Sequence, residues 1–400
     1  MPQQEQKALK NKKSRKSPFK RVTDWLHLWL GIASGAIVFI VAITGCIFTF
    51  QVEITNWLDK DKLYVEAPAD AKILPLTSIQ KNVQQALLPG RQIEAITIYQ
   101  DPNRAWECLT YKEGDPNAFS YFNTVEYSEL LLINPYTGKI ISLEDYKYNF
   151  FNIVKAIHWS LLLGDKYGKP IVGYSTLVFV VLLITGMILW WPSKWTNSSV
   201  EKSFKIKWKA KFKRVNYDLH NVAGFYALII TLILSLTGLV WAFEWFQKGV
   251  YMTAAQTTVP LEYKSMISDT TYVIGLSKPL DIAFMETKTI MPNAVRYSIS
   301  PAQGKTGVIY ATAYYGKEIY YDFDGLQFDQ YSGKLLYRKD HHEKNAGEKL
   351  IGMNYDIHVG AILGLPGKIL VFLGSLVAAS LPITGFLVWL GKKKKSKKRG

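Results

Sequence analysis

Residues 21–27 read Arg-Val-Thr-Asp-Trp-Leu-His, and residues 214–220 read Arg-Val-Asn-Tyr-Asp-Leu-His. The closing histidine of each, His27 or His220, opens a long apolar run. Each run carries Thr-Gly at the same offset, Thr44-Gly45 and Thr237-Gly238. A second pair behaves alike. His158 and His358 each stand six residues before a glycine, Gly164 or Gly364. Each then leads through a short segment ending in Lys169 or Lys368 to an apolar run with Thr185-Gly186 or Thr384-Gly385. Four of the chain's six histidines thus hold repeat-matched positions. Paired imidazoles at a membrane edge suit the axial ligation of b-type haem iron.

The four runs, at 28–50, 170–191, 221–246 and 366–390, approach or exceed the roughly 20 residues that a spanning helix needs. The net charge of +16 is segregated around them. Residues 1–21 hold eight Lys and Arg, residues 194–214 hold eight, and residues 392–399 hold seven. The 25 basic and 30 acidic residues elsewhere leave the rest of the chain at −5. With four spans all three clusters fall on one side, which the positive-inside rule makes cytoplasmic. The same rule accounts for the clusters without nucleic acid, so no nucleic-acid partner is expected. The first run is too long for a cleavable signal peptide and lacks a small-residue cleavage site. Cys46 and Cys108 imply no disulfide framework. There is no Cys-x-x-Cys-His for covalent haem and no zinc or iron–sulfur spacing.

The expected fold class is a membrane α-helical four-helix core from a tandem duplication, with two small α+β periplasmic domains. The boundaries are a basic cytoplasmic N-terminus at 1–21, a first span at 22–51 and a first outer domain at 52–150. An interfacial helix and second span follow at 151–192, then a basic loop at 193–215 and a third span at 216–247. The second outer domain is 248–350, an interfacial segment and fourth span occupy 351–391, and 392–400 is a basic tail. Duplication predicts a pseudo-two-fold axis along the membrane normal. In the first outer segment apolar spacing predicts a helix near 76–88 and strands near 93–100, 105–112, 127–134 and 140–143. In the second it predicts a helix near 279–288 and strands near 294–300, 307–314, 318–328 and 335–337. Each segment has a glycine turn before its last strand, Asn134-Pro135-Tyr136-Thr137-Gly138-Lys139 and Gln330-Tyr331-Ser332-Gly333-Lys334.

This order of span, small α+β module with a Pro-Tyr-Thr-Gly-Lys-type turn, and histidine-bearing span resembles the PepSY-associated transmembrane helix family. The matching pieces are Leu26-His27…Thr44-Gly45, Ile157-His158…Gly164, Leu219-His220…Thr237-Gly238 and Ile357-His358…Gly364. The resemblance implies PepSY modules in the periplasm, haem in a bacterial inner membrane, and the activity of a siderophore-iron reductase.

Two histidines per iron give a six-coordinate haem suited to electron transfer. His27 with His220 would clamp one haem b near the cytoplasmic face, and His158 with His358 a second near the outer face. A variant in which one pair alone binds haem stays open. From His27 to Gly45 is about 27 Å of helix, which separates the pairs across the bilayer. Pro170 and the flanking glycines are expected to break the helix after His158, leaving it on a short interfacial helix, and His358 likewise. Gly31, Gly35, Gly45, Gly224 and Gly238 are candidates to face a macrocycle, although helix packing explains them as well. His341 and His342 are weak extra candidates for a metal, with a solvated loop favoured. Trp190, Trp191, Trp195, Trp241, Trp245 and Trp389 read as interfacial belts. Tyr310, Tyr314, Tyr315, Tyr320 and Tyr321 read as a siderophore surface or as sheet propensity.

The resulting expectation is a di-haem reductase passing electrons to a periplasmic ferric siderophore and releasing Fe(II). With no Gly-x-Gly-x-x-Gly or P-loop, the electrons are expected from a membrane quinol or a partner dehydrogenase. Two other classes remain open. One is a membrane-anchored regulator of a periplasmic partner such as a peptidase, which leaves the histidine repeats unexplained. The other is a transporter, opposed by the lack of acidic residues deep in the spans.

Overall fold

A computed structural model describes residues 17–70, 72–271 and 278–397, with side chains through Gly391. Residues 1–16 and the side chains of 392–400, which carry much of the first and last basic clusters, lie outside the described residues. The first half contains α1 (Pro18–Thr49), α2 (Leu76–Ala86), β1 (Ile93–Tyr99), β2 (Trp106–Glu113), β3 (Val125–Ile133), β4 (Ile140–Asp145), α3 (Phe150–Ser160) and α4 (Asp165–Trp190). The second contains α5 (Phe212–Ala242), α6 (Glu244–Ala255), α7 (Pro279–Ile290), β5 (Arg296–Ser300), β6 (Val308–Tyr314), β7 (Phe323–Asp329), β8 (Leu335–Lys339), α8 (Ala346–His358) and α9 (Gly364–Lys397). Short helical turns join several of these.

Helices α1, α4, α5 and α9 are long and apolar enough to cross a membrane. They pack in a ring, α1 on α4, α4 on α5, α5 on α9 and α9 on α1, so α1 and α5 lie on one diagonal. Val38, Phe179, Leu183 and Ala378 form a buried apolar cluster between the four helices. At one end Lys20 Nζ donates to the Trp191 carbonyl at 3.1 Å, and Lys213 Nζ to that of Gly391 at 2.7 Å. The start of α1, the loop after α4 and the end of α9 therefore share that end, and the sheet lies at the other.

Helix boundaries follow local chemistry. Ser17 caps α1 by accepting from Lys20 N–H at 3.3 Å, and Pro18 occupies the first turn, where its missing N–H costs nothing. The helix thus starts ten residues before the apolar run at 28. Helix α5 stops at Ala242, where Phe243 turns extended, short of the expected 246. The expected break at Pro170 is a correction. The reversal after His158 is made at Leu161 and Leu162, both left-handed (φ 58° and 60°), and α4 has begun by Asp165. Pro170 lies inside α4 and forgoes only a bond to the Lys166 carbonyl. The matching reversal after His358 uses Gly360 and Gly364, at φ 80° and 63°, where a Cβ would strain the backbone.

The two outer segments were expected as separate domains, and the structure corrects this. All eight strands form one antiparallel sheet in the order β4-β3-β2-β1-β5-β6-β7-β8. Each four-stranded meander alone would leave β1 or β5 as an open edge. Pairing Ile96 with Ile299 through Tyr99 with Arg296 satisfies both edges at once. Helices α2 and α7 cover one face, packing Ile79, Val83, Ala283 and Phe284 on Ile96, Trp106, Tyr297, Ile299 and Phe328. The two helices are themselves tied, the Thr77 N–H donating to Asp281 at 2.9 Å. Gly138 and Gly333 take φ 69° and 74° in the expected turns.

The sheet is fastened to the bundle by charge. Lys368, on α9 and only 4% exposed, donates to Glu53 beyond α1 at 2.6 Å and to Glu318 between β6 and β7 at 2.9 Å. Asp356, fully buried on α8, accepts from the backbone N–H of Tyr320 at 3.0 Å and of Tyr321 at 2.8 Å. Removing Lys368 strands two carboxylates, each about a third exposed and therefore partly screened. Lys368→Met should cost about 2 kcal/mol, read as a lowered apparent melting temperature of the detergent-solubilised protein. Adding Glu53→Gln and Glu318→Gln to that variant should restore most of the loss, and no restoration would show that the clamp is not electrostatic.

Candidate functional site

At the end of the bundle remote from the sheet, the diagonal helices α1 and α5 bring His27 and His220 together. Their ring centroids are 6.3 Å apart, with planes at 80°. His27 Nδ1 lies 2.8 Å from Thr185 Oγ1 on α4, and His220 Nδ1 lies 3.0 Å from Thr384 Oγ1 on α9. His220 sits on a π-helical turn, Leu219–Ala223, a local expansion of the helix that recurs at functional sites.

At the sheet end His158, near the end of α3, meets His358, the last residue of α8. Their centroids are 6.0 Å apart, with planes at 72°. His358 Nδ1 lies 2.8 Å from Thr237 Oγ1. His158 Nδ1 lies 3.2 Å from Thr44 Oγ1 and 2.8 Å from the Val41 carbonyl. Burial lowers the pKa of both imidazoles, that of His358 to about 3 with His158 adding to the effect. Both rings are therefore neutral at physiological pH. A cavity of ≈ 480 Å³ opens beside them, walled by apolar side chains with Lys155 and Lys169 among its few charged residues.

The four threonines do the same work at each site. Each hydroxyl donates its proton one turn back along its own helix. Thr44 donates to Ile40 O at 2.7 Å, Thr185 to Val181 O at 2.8 Å, Thr237 to Ile233 O at 2.8 Å and Thr384 to Ser380 O at 2.9 Å. A hydroxyl has one proton, so what remains to face the imidazole is a lone pair. Only a ring protonated at Nδ1 satisfies it, and that tautomer leaves the Nε2 lone pair free for a metal. The neighbouring glycine makes room for the ring. A Cβ at Gly45, Gly186, Gly238 or Gly385 would meet Cε1 of His158, His27, His358 or His220 at 3.3, 3.3, 3.7 or 3.0 Å. Of the five glycines expected to face a macrocycle, Gly45 and Gly238 face histidine. Gly31, Gly35 and Gly224 pack instead on Leu182, Pro382 and Leu381.

These residues fit bis-histidine haem. Two iron–nitrogen bonds of about 2 Å, plus about 1 Å from each Nε2 to its ring centre, require centroids about 6 Å apart. Both pairs meet that spacing. By contrast, no cluster of three or more His, Cys, Asp or Glu among the described residues is placed to hold a bare metal ion. His341 and His342 form a short 3-10 turn, with His341 against Tyr321 at 5.7 Å and His342 exposed.

A further repeat in the sequence supports the second-half histidines. Asn216-Tyr217-Asp218-Leu219-His220 repeats as Asn354-Tyr355-Asp356-Ile357-His358. Each asparagine donates to the backbone carbonyl of the threonine that anchors its own histidine. Asn216 Nδ2 reaches Thr384 O at 3.0 Å, and Asn354 Nδ2 reaches Thr237 O at 3.1 Å. Each aspartate is fully buried and multiply paired: Asp218 accepts from the Lys207 backbone N–H and the Arg214 guanidinium Nε, and Asp356 from the backbone N–H of Tyr320 and Tyr321. Two of the supposed belt tryptophans also serve inside. Trp190 is buried, stacks on Phe225 at 3.9 Å and donates to Ser203 O. Trp241 lines the cavity at the sheet end, 5.2 Å from the His358 ring. Trp191, Trp195 and Trp245 are exposed, as a belt requires.

Comparison with curated proteins returns no match. The family model described as the PepSY-associated TM region matches residues 25–392, a stretch that contains all four anchored histidines and the whole sheet. The chain belongs to the PepSY-associated transmembrane family.

Proposed function

We propose that the chain is a di-haem b-type reductase of a bacterial inner membrane, with the sheet in the periplasm and both termini in the cytoplasm. It carries electrons from a quinol or a dehydrogenase to a ferric siderophore. Two histidine pairs, each tautomer-locked by threonine at about 6 Å, one at either end of a four-helix membrane core, carry this reading. We read the matched helices, turns and Thr-Gly anchors of the two halves as a tandem duplication. The basic loop beside the His27 pair supports a cytoplasmic face there.

His27 and His220 would hold one haem, and His158 and His358 the other. Haem iron bound by two neutral imidazoles supplies a one-electron carrier with no open position for oxygen. The chain's residues fix the rest. Threonine holds each Nδ1–H and raises the basicity of Nε2. Glycine lets each ring lie against a neighbouring helix. The apolar cluster around Val38 and Phe179 separates the two sites and walls the cavity beside His158 and His358. Reduction suits iron release because Fe(II), carrying less charge, binds hard oxygen chelators more weakly.

Protein purified from haem-replete cells should show a Soret band and a dithionite-reducible α-band, with two haems per chain by pyridine haemochrome assay. Alanine at any one of His27, His220, His158 or His358 should remove about half of the haem. Colourless wild-type protein, or variants that lose both haems or neither, would contradict the pairing.

The threonine anchors make a separate expectation. Thr185→Val or Thr384→Val should leave two haems bound and raise the midpoint potential of the His27–His220 site. The shift should be roughly 40 mV, the one-electron equivalent of about 1 kcal/mol for one hydrogen bond. Thr44→Val should shift its site less, because Val41 O also accepts from His158. Potentiometric titration of each variant reads both, and an unchanged potential at Thr185 and Thr384 would remove threonine from the account.

A further inference from the structure

The two halves differ in where they place cations around the outer histidines. Lys155 stands one helical turn before His158 and lines the cavity. It has no ion-pair partner among the described residues. The crowding of protein around it lowers its amine pKa through desolvation alone. Lys169 lines the same cavity. Its Nζ lies 4.4 Å from the Trp159 ring centre and 3.0 Å from Asp165, a carboxylate largely in solvent. The corresponding positions of the second half carry no free cation. Tyr355 stands where Lys155 does, three residues before the histidine. Lys368, the counterpart of Lys169, is buried and neutralised by Glu53 and Glu318.

A ligand seated between two near-equivalent histidines meets a choice of orientation, and a symmetric clamp would not make it. This cavity makes it by charge, with two lysines on the α3–α4 side and, among the described residues that line it, no lysine or arginine on the α8–α9 side. An unpaired amine at an apolar wall favours an anion that arrives with the ligand. We propose that Lys155 and Lys169 recognise the carboxylates of the tetrapyrrole held by His158 and His358, and so fix which way round it sits. The proposal rests on the di-haem reading. Snorkelling of the same lysines to lipid phosphate uses the same chemistry, and the test separates the two sources because esterifying the tetrapyrrole leaves the lipid unchanged.

The test uses full-length protein carrying His220→Ala, so that only the outer pair binds, expressed in haem-depleted cells and solubilised in detergent. Soret titration compares haem b with its dimethyl ester, which keeps the iron and the ring and loses both charges. The parent should prefer the free acid by at least about tenfold, as expected for charge-assisted contacts. Lys155→Met with Lys169→Met should abolish the preference while the spectrum stays low-spin. Lys155→Arg with Lys169→Arg should keep it. Equal binding of acid and ester by the parent, or an unchanged preference in the Met variant, overturns the proposal and leaves the di-haem reading standing. Loss of both compounds in the Met variant alone overturns it in favour of a structural role for the lysines. Failure of every protein to bind either compound overturns both readings.

Discussion

A hydroxyl with one proton to give is the constraint on which the sites depend. Each anchoring threonine donates that proton to its own helix, so its lone pair demands an Nδ1–H from the histidine across the interface. The demand fixes tautomer, ring orientation and the direction of the free Nε2 in one contact. It is also cheap within a membrane, because a threonine whose proton is taken by its own helix carries no unpaired donor into the bundle. The adjacent glycine completes the device. A methyl group at Gly385 would come within 3.0 Å of His220 Cε1, and the ring would have to move.

The arrangement is repeated four times but supported unequally. In the second half an asparagine one turn before each histidine holds the carbonyl of the anchoring threonine, and a buried aspartate two residues before it gathers a nearby loop. The first half has neither at His27 or at His158. At the outer site the difference continues into the cavity, where the first half contributes cations and the second contributes Tyr355 and Trp241. Lys368 is the hinge of this asymmetry. Drawn into the clamp between bundle and sheet, it is lost as a free charge at the cavity wall.

Much of this was legible in the sequence because it is periodic. Apolar runs near bilayer length, basic flanks and the recurrence of Thr-Gly near histidine delivered four helices and both histidine pairs. The outer helices and strands appeared close to where apolar spacing placed them, except that β7 begins at Phe323 rather than near 318, leaving Glu318, Tyr320 and Tyr321 in a loop. What was not legible depends on partners distant in the chain. The fusion of two meanders into one sheet is a matter of edge pairing between β1 and β5, about 200 residues apart. Sequence offers the Thr-Gly pairs as close packing for a helix or a macrocycle and not as histidine anchors, because nothing local shows which helix will face them. Pro170 misled for a related reason. Its backbone effect is local, but the helix had restarted upstream, after a reversal made by two left-handed leucines that carry no sequence signature. The Asn-Tyr-Asp-[Leu/Ile]-His repeat was present in plain view and needed only a comparison of the third run with the approach to the fourth.

The central claim is that two imidazoles face each other across one iron at each end of the bundle, with ring planes at 80° and 72°. Near-perpendicular planes leave the iron dxz and dyz orbitals almost degenerate, which makes the low-spin ferric ion strongly anisotropic. Electron paramagnetic resonance of the oxidised, purified protein reads this directly. Two highly anisotropic low-spin signals, with a large and isolated low-field g value and no high-spin component, are expected. An axial high-spin ferric signal, or an ordinary rhombic low-spin signal from parallel imidazoles, would contradict the geometry on which the proposed electron path rests.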